Sequence, residues 1–216
     1  MGRNTKQSLK TLVLAIMFFV TAYFVFMPFF KPAEPHLEIT LPRIVFYTIQ
    51  TNIFVCVWFL YLLLKRFFPK LPDTHQGISM AITLYISITC LVYWAVLVPM
   101  LNADSFLFSA SNIWMHTITP IFSFWCFMNF TRKKTISSIN IIVAMIYPLL
   151  YFLSTFRINA VYGKYPYPFL NPEIMGGTFS VIVASILILV LFTGIGWALK
   201  KLYDKRLRNA YYFLNF

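Results

Sequence analysis

The chain has 216 residues, of which 60% are hydrophobic, 19% aromatic and only 11% charged, and its formal net charge is +12. A soluble domain has roughly 45–50% apolar and about 25% charged residues, so this composition excludes a soluble globule and an intrinsically disordered chain. The three cysteines are an odd number and lie in apolar runs, which excludes a disulfide scaffold. The composition predicts an integral membrane protein.

Six apolar runs are each long enough to cross a bilayer, which takes roughly 20 residues of helix. Membrane β-strands are about ten residues long with alternating polarity, so continuous runs of this length favour helices. The links are short and no internal repeat divides the chain. The sequence therefore predicts one all-α domain over residues 1–216, a six-helix bundle with spans at residues 11–30, 44–64, 78–100, 106–130, 137–156 and 179–199.

Basic residues are divided unevenly between the two faces that six spans define. The face with both termini carries 14 of the 18 lysines and arginines, and after the acidic residues are counted its net charge is +12 against 0 opposite. Because Lys and Arg concentrate on the cytoplasmic side, we expect both termini there. The charges abut the span ends, so we expect them to set topology and contact anionic lipids, and we expect no nucleic-acid partner.

The second run opens with a polar cluster formed by Thr48, Gln50, Thr51 and Asn52. Thr48, Thr51 and Asn52 have the spacing of one helix face. Thr48 lies about four residues into this run, nearer to the membrane surface than the other two. Any of these groups is able to supply a hydroxyl or a hydrogen-bond donor inside the membrane.

The fourth run contains His116 about ten residues from its start, whereas Asp, Glu, Lys and Arg are absent from all six runs. An intramembrane histidine is a functional-site hypothesis, and the missing carboxylates disfavour ion-coupled transport. Asn112 lies one turn before His116 and is placed to hold one ring nitrogen, and Pro120 opens the backbone ladder after it. The alternative is a structural Asn–His pair that only packs the bundle. Thr51 matches the depth of His116 better than Thr48 does.

The fifth link is rich in tyrosine and proline between residues 162 and 172. Such a segment suits the head-group region, where it anchors the bundle. It also suits a lid over an outward-opening pocket, and the candidate lid residues are Tyr165, Tyr167, Pro168 and Phe169.

Metal and cofactor sites lack their usual signatures. The two other histidines, His36 and His75, lie in links on opposite faces, and the cysteines are scattered, so we expect no metal. Glycine-rich phosphate loops and a Gly-x-Ser-x-Gly elbow are missing, so we expect no cofactor. Gly194 and Gly196 in the last run are typical of close helix approach.

Three short motifs resemble the androgen-induced-gene family of multi-span membrane proteins. The stretch from Asn112 to Thr117, Asn-Ile-Trp-Met-His-Thr, followed by Pro120, is similar to that family's Asn-x-x-Met-His-Thr…Pro signature. Phe46-Tyr47-Thr48 resembles its Phe-x-Thr, and Tyr167-Pro168-Phe169-Leu170 resembles its Tyr-Pro-Phe-Leu. The proline after the histidine is one residue closer here, and Gln50-Thr51-Asn52 has no close match. The bacterial relatives are predicted six-span proteins, so the resemblance implies a bacterial plasma membrane.

Animal members of that family are threonine hydrolases of fatty acid esters of hydroxy fatty acids. The resemblance implies Thr48 as nucleophile and His116 as base, with Asn112, Asn52, Gln50 or Thr51 in support or as oxyanion donors. Membrane lipids and a lipidic ester are then the partners. The alternative function is a non-catalytic protein that binds or carries a lipid or a small hydrophobic ligand, in which His116 and Asn112 hold the bundle together or contact the ligand.

Overall fold

The computed structural model describes residues 3–30, 41–101 and 105–214, and they form an all-helical bundle. The long helices are α1 (Arg3–Phe30), α2 (Tyr47–Phe67), α3 (Gln76–Met100), α4 (residues 110–130), α5 (Ser138–Tyr162) and α6 (Thr178–Leu214). Short helical turns occupy Arg43–Val45, Ser105–Phe108, Pro168–Leu170 and Pro172–Met175.

Five of these helices, α1, α2, α3, α5 and α6, are long and apolar enough to cross a membrane. This agrees with the predicted class, an α-helical membrane protein. The fourth run differs from its prediction as one uniform span. It opens with the short turn at Ser105–Phe108, and α4 itself is made of three segments, namely Ala110–Ile113, Trp114–Ile118 and Thr119–Phe130.

Several predicted span ends shift in the structure. The second span was predicted from residue 44, but the chain makes a separate short turn at Arg43–Val45 and α2 begins only at Tyr47. The last span was predicted to end at residue 199, whereas α6 continues to Leu214. Hydropathy reports apolar character and not backbone conformation, so it misses both the break at Phe46 before α2 and the polar extension of α6.

Two π-helical turns interrupt the long helices, and each ends shortly before a proline. One lies at Tyr93–Leu97 in α3, before Pro99, and the other at Trp114–Ile118 in α4, before Pro120. A proline ring clashes with the carbonyl four residues earlier and lacks an N–H, so the preceding backbone widens by one residue. In α4, the carbonyl that Pro120 displaces is that of His116.

Helix α3 is central and packs against α2, α4, α5 and α6. Helices α3 and α4 run antiparallel, and the links before α3 and after α4 meet where the Arg132 N–H donates to the Thr74 carbonyl at 3.1 Å. The outward faces of α5 and α6 expose apolar side chains, as lipid contact requires. Examples are Ile142, Val143, Ile146, Leu150, Leu153, Ile182, Ile186, Leu187 and Val190.

Candidate functional site

Thr48 and His116 are brought into hydrogen-bond contact, with Thr48 Oγ1 lying 3.2 Å from His116 Nε2. Thr48 stands in the first turn of α2, and His116 stands within the π-helical turn of α4. His116 is buried, whereas Thr48 is partly open to a cavity. The separation that the residue count predicted between these residues is absent, because α2 begins at Tyr47 and its first turn lies against the π-helical turn of α4.

The tautomer of His116 follows from its second contact. Nδ1 lies 2.9 Å from the backbone carbonyl oxygen of Asn112, one turn earlier. A carbonyl only accepts, so Nδ1 carries the proton, and Nε2 of the neutral ring is left as an acceptor facing Thr48. The group of Asn112 that holds this ring nitrogen is its backbone carbonyl, whereas the sequence predicted its side chain.

Tyr167 also contacts Thr48, although it lies 119 positions later in the chain. Its hydroxyl accepts from the Thr48 backbone N–H at 3.1 Å and lies 3.3 Å from Thr48 Oγ1. Burial raises the pKa of the Tyr167 hydroxyl, although its hydrogen bonds with Thr48 act in the opposite direction. The hydroxyl therefore keeps its proton at neutral pH.

This tautomer of His116 assigns the hydrogen-bond directions at Thr48 Oγ1. Because Nε2 of His116 can only accept, the Thr48 hydroxyl donates to it. The Tyr167 hydroxyl must then donate to Thr48 Oγ1, while its oxygen accepts from the Thr48 N–H. The resting arrangement is a threonine hydroxyl whose proton already points at a base, the geometry that general-base activation requires.

The N-terminus of α2 is capped by tyrosine hydroxyls instead of by its own N-cap residue. Phe46 occupies the N-cap position and offers no side-chain hydrogen bond. The Tyr47 N–H donates to Tyr151 at 3.2 Å, and the Thr48 N–H donates to Tyr167. The helix dipole makes a helix N-terminus favourable for negative charge, so Thr48 stands where the dipole of α2 stabilises a developing anion.

The amide and hydroxyl groups predicted as oxyanion donors are engaged elsewhere. Gln50 Nε2 donates to the Ile44 carbonyl at 2.8 Å, and Thr51 pairs with Thr89 at 2.9 Å. Asn52 Nδ2 donates to the carbonyls of Thr48 at 2.9 Å and of Met115 at 3.3 Å, which ties α2 to the π-helical turn of α4. These groups therefore support the backbone around the site. His116 Nε2 contacts Thr48, and Thr51 contacts Thr89 instead.

A largely apolar cavity of about 80 Å³ opens beside Thr48. Its walls come from α3, α5, α6 and the link after α5. The lining includes Val92, Tyr93, Leu97, Pro148, Phe152, Ile188, Leu189 and Phe192. Its lining contains no charged side chain among the residues that the structure describes.

The predicted lid segment divides between cavity and surface. Tyr167, Phe169 and Leu170 line the cavity, and the Tyr167 and Phe169 rings stack with centroids 5.3 Å apart. Pro168 begins the short turn Pro168–Leu170, which holds these side chains inward. Tyr165 faces a separate surface depression beside Lys164. The segment thus covers one side of the cavity through Tyr167 and Phe169.

Tyr93 is a residue of the site that the sequence analysis did not predict. Its ring stacks on the His116 imidazole, with centroids 3.8 Å apart and planes 15° apart. Its hydroxyl donates to the Leu107 carbonyl. Both stacked residues lie in π-helical turns, and the prolines that follow those turns were the available signal in the sequence.

The histidine in the link before α3 has a structural partner. His75 is the N-cap of α3, and its Nδ1 accepts from the Gly77 N–H at 3.2 Å. Within residues 3–30, 41–101 and 105–214, no three His, Cys, Asp or Glu side chains cluster as metal ligands. His36 lies outside the described residues.

Comparison with protein-family models, with curated proteins and with solved structures finds no match to this chain.

Proposed function

We propose that the chain is an intramembrane hydrolase of lipidic esters, in which Thr48 is the nucleophile and His116 the general base. The observation that carries the proposal is the 3.2 Å contact between Thr48 Oγ1 and an unprotonated Nε2 of His116, beside an apolar cavity. A threonine hydroxyl is a weak nucleophile unless an adjacent base takes its proton.

The first half-reaction forms an acyl-enzyme. Thr48 Oγ1 bonds to the ester carbonyl carbon while its proton passes to His116 Nε2, and the carbonyl electron pair moves to oxygen. When the intermediate collapses, the bond to the alcohol oxygen breaks and this oxygen takes the proton from Nε2. The backbone carbonyl of Asn112 holds Nδ1–H throughout and so stabilises the imidazolium.

The second half-reaction releases the acid. A water molecule gives a proton to Nε2 and attacks the acyl carbon, and Thr48 Oγ1 leaves and recovers its proton from His116. A carboxylate behind the histidine, as in a full triad, is missing from the described contacts of its ring. We therefore expect slower turnover than that of a serine triad enzyme.

The cavity favours an aliphatic acyl chain as its occupant. Its lining is apolar and uncharged, so it buries methylene groups favourably and leaves a carboxylate or head group outside. Fatty acid esters of hydroxy fatty acids, which the family resemblance implies, have this form. We propose membership of that family on the same three motifs.

Depth within the bilayer supports the same substrate class. Helix α5 from Ser138 to Arg157 is about 29 Å long at 1.5 Å per residue, close to the thickness of a bilayer core. Tyr151, which bonds the carbonyl of Val45, lies about 9 Å inside Arg157 on the same scale. Thr48 is then well below the head groups, at the depth of an ester within a fatty chain.

The proposed topology has α4 as a sixth span and both termini in the cytoplasm of a bacterial cell. The segments of α4 together cover residues 110–130, which is long enough to cross a bilayer core. The basic clusters of the chain then fall on the cytoplasmic side.

Labelling with a fluorophosphonate probe tests the dyad directly. The full chain in detergent micelles is treated with an alkyl fluorophosphonate, and the modified residue is located by mass spectrometry. We expect modification of Thr48 in the wild type and in Thr48→Ser, and loss of labelling in Thr48→Ala and His116→Ala. Thr51→Ala is the matched control, because Thr51 lies one turn away and its hydroxyl contacts Thr89 and the Thr48 backbone carbonyl instead of His116 or Thr48 Oγ1.

Two outcomes would contradict the assignment in different ways. Labelling that survives Thr48→Ala and disappears in Thr51→Ala would mean that the nucleophile is misassigned. A folded wild type that neither reacts with the probe nor cleaves an ester of a hydroxy fatty acid would favour the lipid-binding alternative.

A further inference from the structure

We propose that Tyr167 is a catalytic residue that donates the hydrogen bond to the oxyanion of the tetrahedral intermediate. The proposal rests on the proposed hydrolase function and adds the residue that stabilises its developing charge. Its first support is position, because the Tyr167 hydroxyl lies 3.3 Å from Thr48 Oγ1, the atom that bonds to the ester carbon. In the intermediate, the oxyanion is two covalent bonds away from Oγ1, so it lies within hydrogen-bond reach of the Tyr167 hydroxyl.

The second support is availability of the proton. Two other tyrosine hydroxyls beside the first turn of α2 donate elsewhere, Tyr151 to the Val45 carbonyl and Tyr147 to Gln50 Oε1. The Tyr47 hydroxyl is buried without a hydrogen-bond partner among the described residues, so it makes no bond to Thr48 Oγ1. The amide hydrogens of Gln50 and Asn52 also point at backbone carbonyls. Among these groups, the Tyr167 hydroxyl alone has its proton on the reacting oxygen.

The third support is the change that attack itself causes. In the resting site, Tyr167 donates to a lone pair of Thr48 Oγ1. When Oγ1 attacks, that lone pair becomes the bond to the acyl carbon, and the carbonyl oxygen two bonds away becomes the strongest acceptor nearby. A rotation of the Tyr167 O–H moves the hydrogen bond to it, so the bond is stronger in the transition state than in the ground state.

The backbone of α2 strengthens this donor. The Thr48 N–H donates to the Tyr167 oxygen at 3.1 Å, so an orphan N–H of the helix N-terminus polarises the hydroxyl that faces the oxyanion. The dipole of α2 thus acts through Tyr167. The proton stays on tyrosine, and no group beyond the ester, Thr48, His116 and water enters the reaction.

The test compares Tyr167→Phe with Tyr147→Phe in the full chain in lipid nanodiscs. Tyr147→Phe is the matched control, because it removes a hydroxyl beside the first turn of α2 that does not contact Thr48. One readout is the hydrolysis of a fatty acid ester of a hydroxy fatty acid. The other is the binding of an alkyl trifluoromethyl ketone, which forms a tetrahedral adduct, measured against the alkyl methyl ketone of the same length.

Loss of an oxyanion donor lowers kcat by about 100-fold to 1000-fold. For Tyr167→Phe we expect a loss of that size with KM within about threefold, and a similar loss in affinity for the trifluoromethyl ketone alone. Tyr147→Phe is expected to keep both readouts. Circular dichroism and thermal unfolding establish that both variants are folded.

The outcomes distinguish failure of the role of Tyr167 from failure of the proposed hydrolase function. Activity and adduct formation that Tyr167→Phe leaves within threefold of wild type would overturn the role of Tyr167 and leave the Thr48–His116 dyad intact. A similar loss of binding for the methyl ketone would also overturn it, since this result indicates a role in packing. A wild type that neither hydrolyses the ester nor forms the adduct would overturn the hydrolase and this role together.

Discussion

The Tyr93 ring lies flat against the His116 imidazole, with centroids 3.8 Å apart and planes 15° apart. Together with the Asn112 carbonyl on Nδ1, this contact fixes both the position and the plane of the ring. An aromatic face also attracts the cationic imidazolium that forms during proton transfer. His116 is therefore held by the Tyr93 ring, which lies on α3, and by the Asn112 backbone carbonyl, which lies on the same helix as His116.

Two substitutions of Tyr93 should distinguish the effect of its ring, which stacks on His116, from the effect of its hydroxyl, which donates to the Leu107 carbonyl. We expect Tyr93→Phe to keep ester hydrolysis within about threefold, because the ring remains. Tyr93→Leu should lower kcat by about tenfold, which corresponds to roughly 1.4 kcal/mol of lost stabilisation. Steady-state kinetics on both variants provide the measurement, and equal effects of the two substitutions would show that stacking is unimportant.

Pro120 is predicted to matter for activity more than for stability. Pro120→Ala restores an N–H and removes the clash with the His116 carbonyl, so the π-helical turn can relax to a regular α-helix. We expect equal or higher thermal stability, together with loss of fluorophosphonate labelling because the ring of His116 rotates away from Thr48.

Pro28→Ala is the control for this prediction. Pro28 lies inside α1, and it is not among the residues that contact the dyad or line the cavity. Its replacement should leave labelling unchanged. Full labelling of Pro120→Ala would mean that the π-helical turn does not depend on the proline.

Asn52 is predicted to be a stability residue. Its Nδ2 bonds the carbonyls of Thr48 and Met115 while the side chain is fully buried, so Asn52→Ala removes two buried hydrogen bonds. We expect a loss of about 1–3 kcal/mol in the free energy of unfolding. Asn129 makes the same bond to a carbonyl four residues earlier, that of Trp125, but on the surface.

Reversible unfolding in mixed micelles measures both variants. Asn129→Ala should cost less than about 0.5 kcal/mol, since surface substitutions rarely exceed that. Equal losses for the two variants would contradict the role of Asn52 as a tie between α2 and α4.

The helical membrane class could be read from composition, because apolar runs of 20 residues have few other structural solutions. The pairing of Thr48 with His116 came from the family resemblance and not from depth, which favoured Thr51. Counting residues from the start of an apolar run assumes that the run is helical throughout. The separate turn at Arg43–Val45 breaks that assumption and places the start of α2 deep in the bundle.

The remaining groups of the site lay beyond reach of the sequence for a different reason. The Tyr167 hydroxyl meets Thr48 only because the link after α5 folds inward, and no local pattern determines such a long-range contact. The Asn112 side chain was the expected partner of His116, but the backbone carbonyl of Asn112 accepts from Nδ1 instead. Every residue has a backbone carbonyl, so residue type does not predict this contact. Gln50 and Asn52 were predicted as oxyanion donors because the sequence alone does not show that their amides donate to backbone carbonyls.

The two glycines in the last span provide a matched pair for the final prediction. A Cβ on Gly196 would lie 3.0 Å from Ile141 Cγ2, whereas a Cβ on Gly194 would have nothing within 4 Å. The expectation of close helix approach is thus confirmed at Gly196 and wrong at Gly194. The reason is helical geometry, since residues two apart face different directions.

Alanine at these positions should have opposite effects on stability. Gly196→Ala crowds α6 against α5, and we expect a loss of about 1–3 kcal/mol, as for other overpacked sites. Gly194→Ala faces outward and should add about 0.5–1 kcal/mol through helix propensity. Thermal unfolding of the two variants measures both, and a Gly196→Ala protein as stable as wild type would mean that α5 and α6 separate easily at this contact.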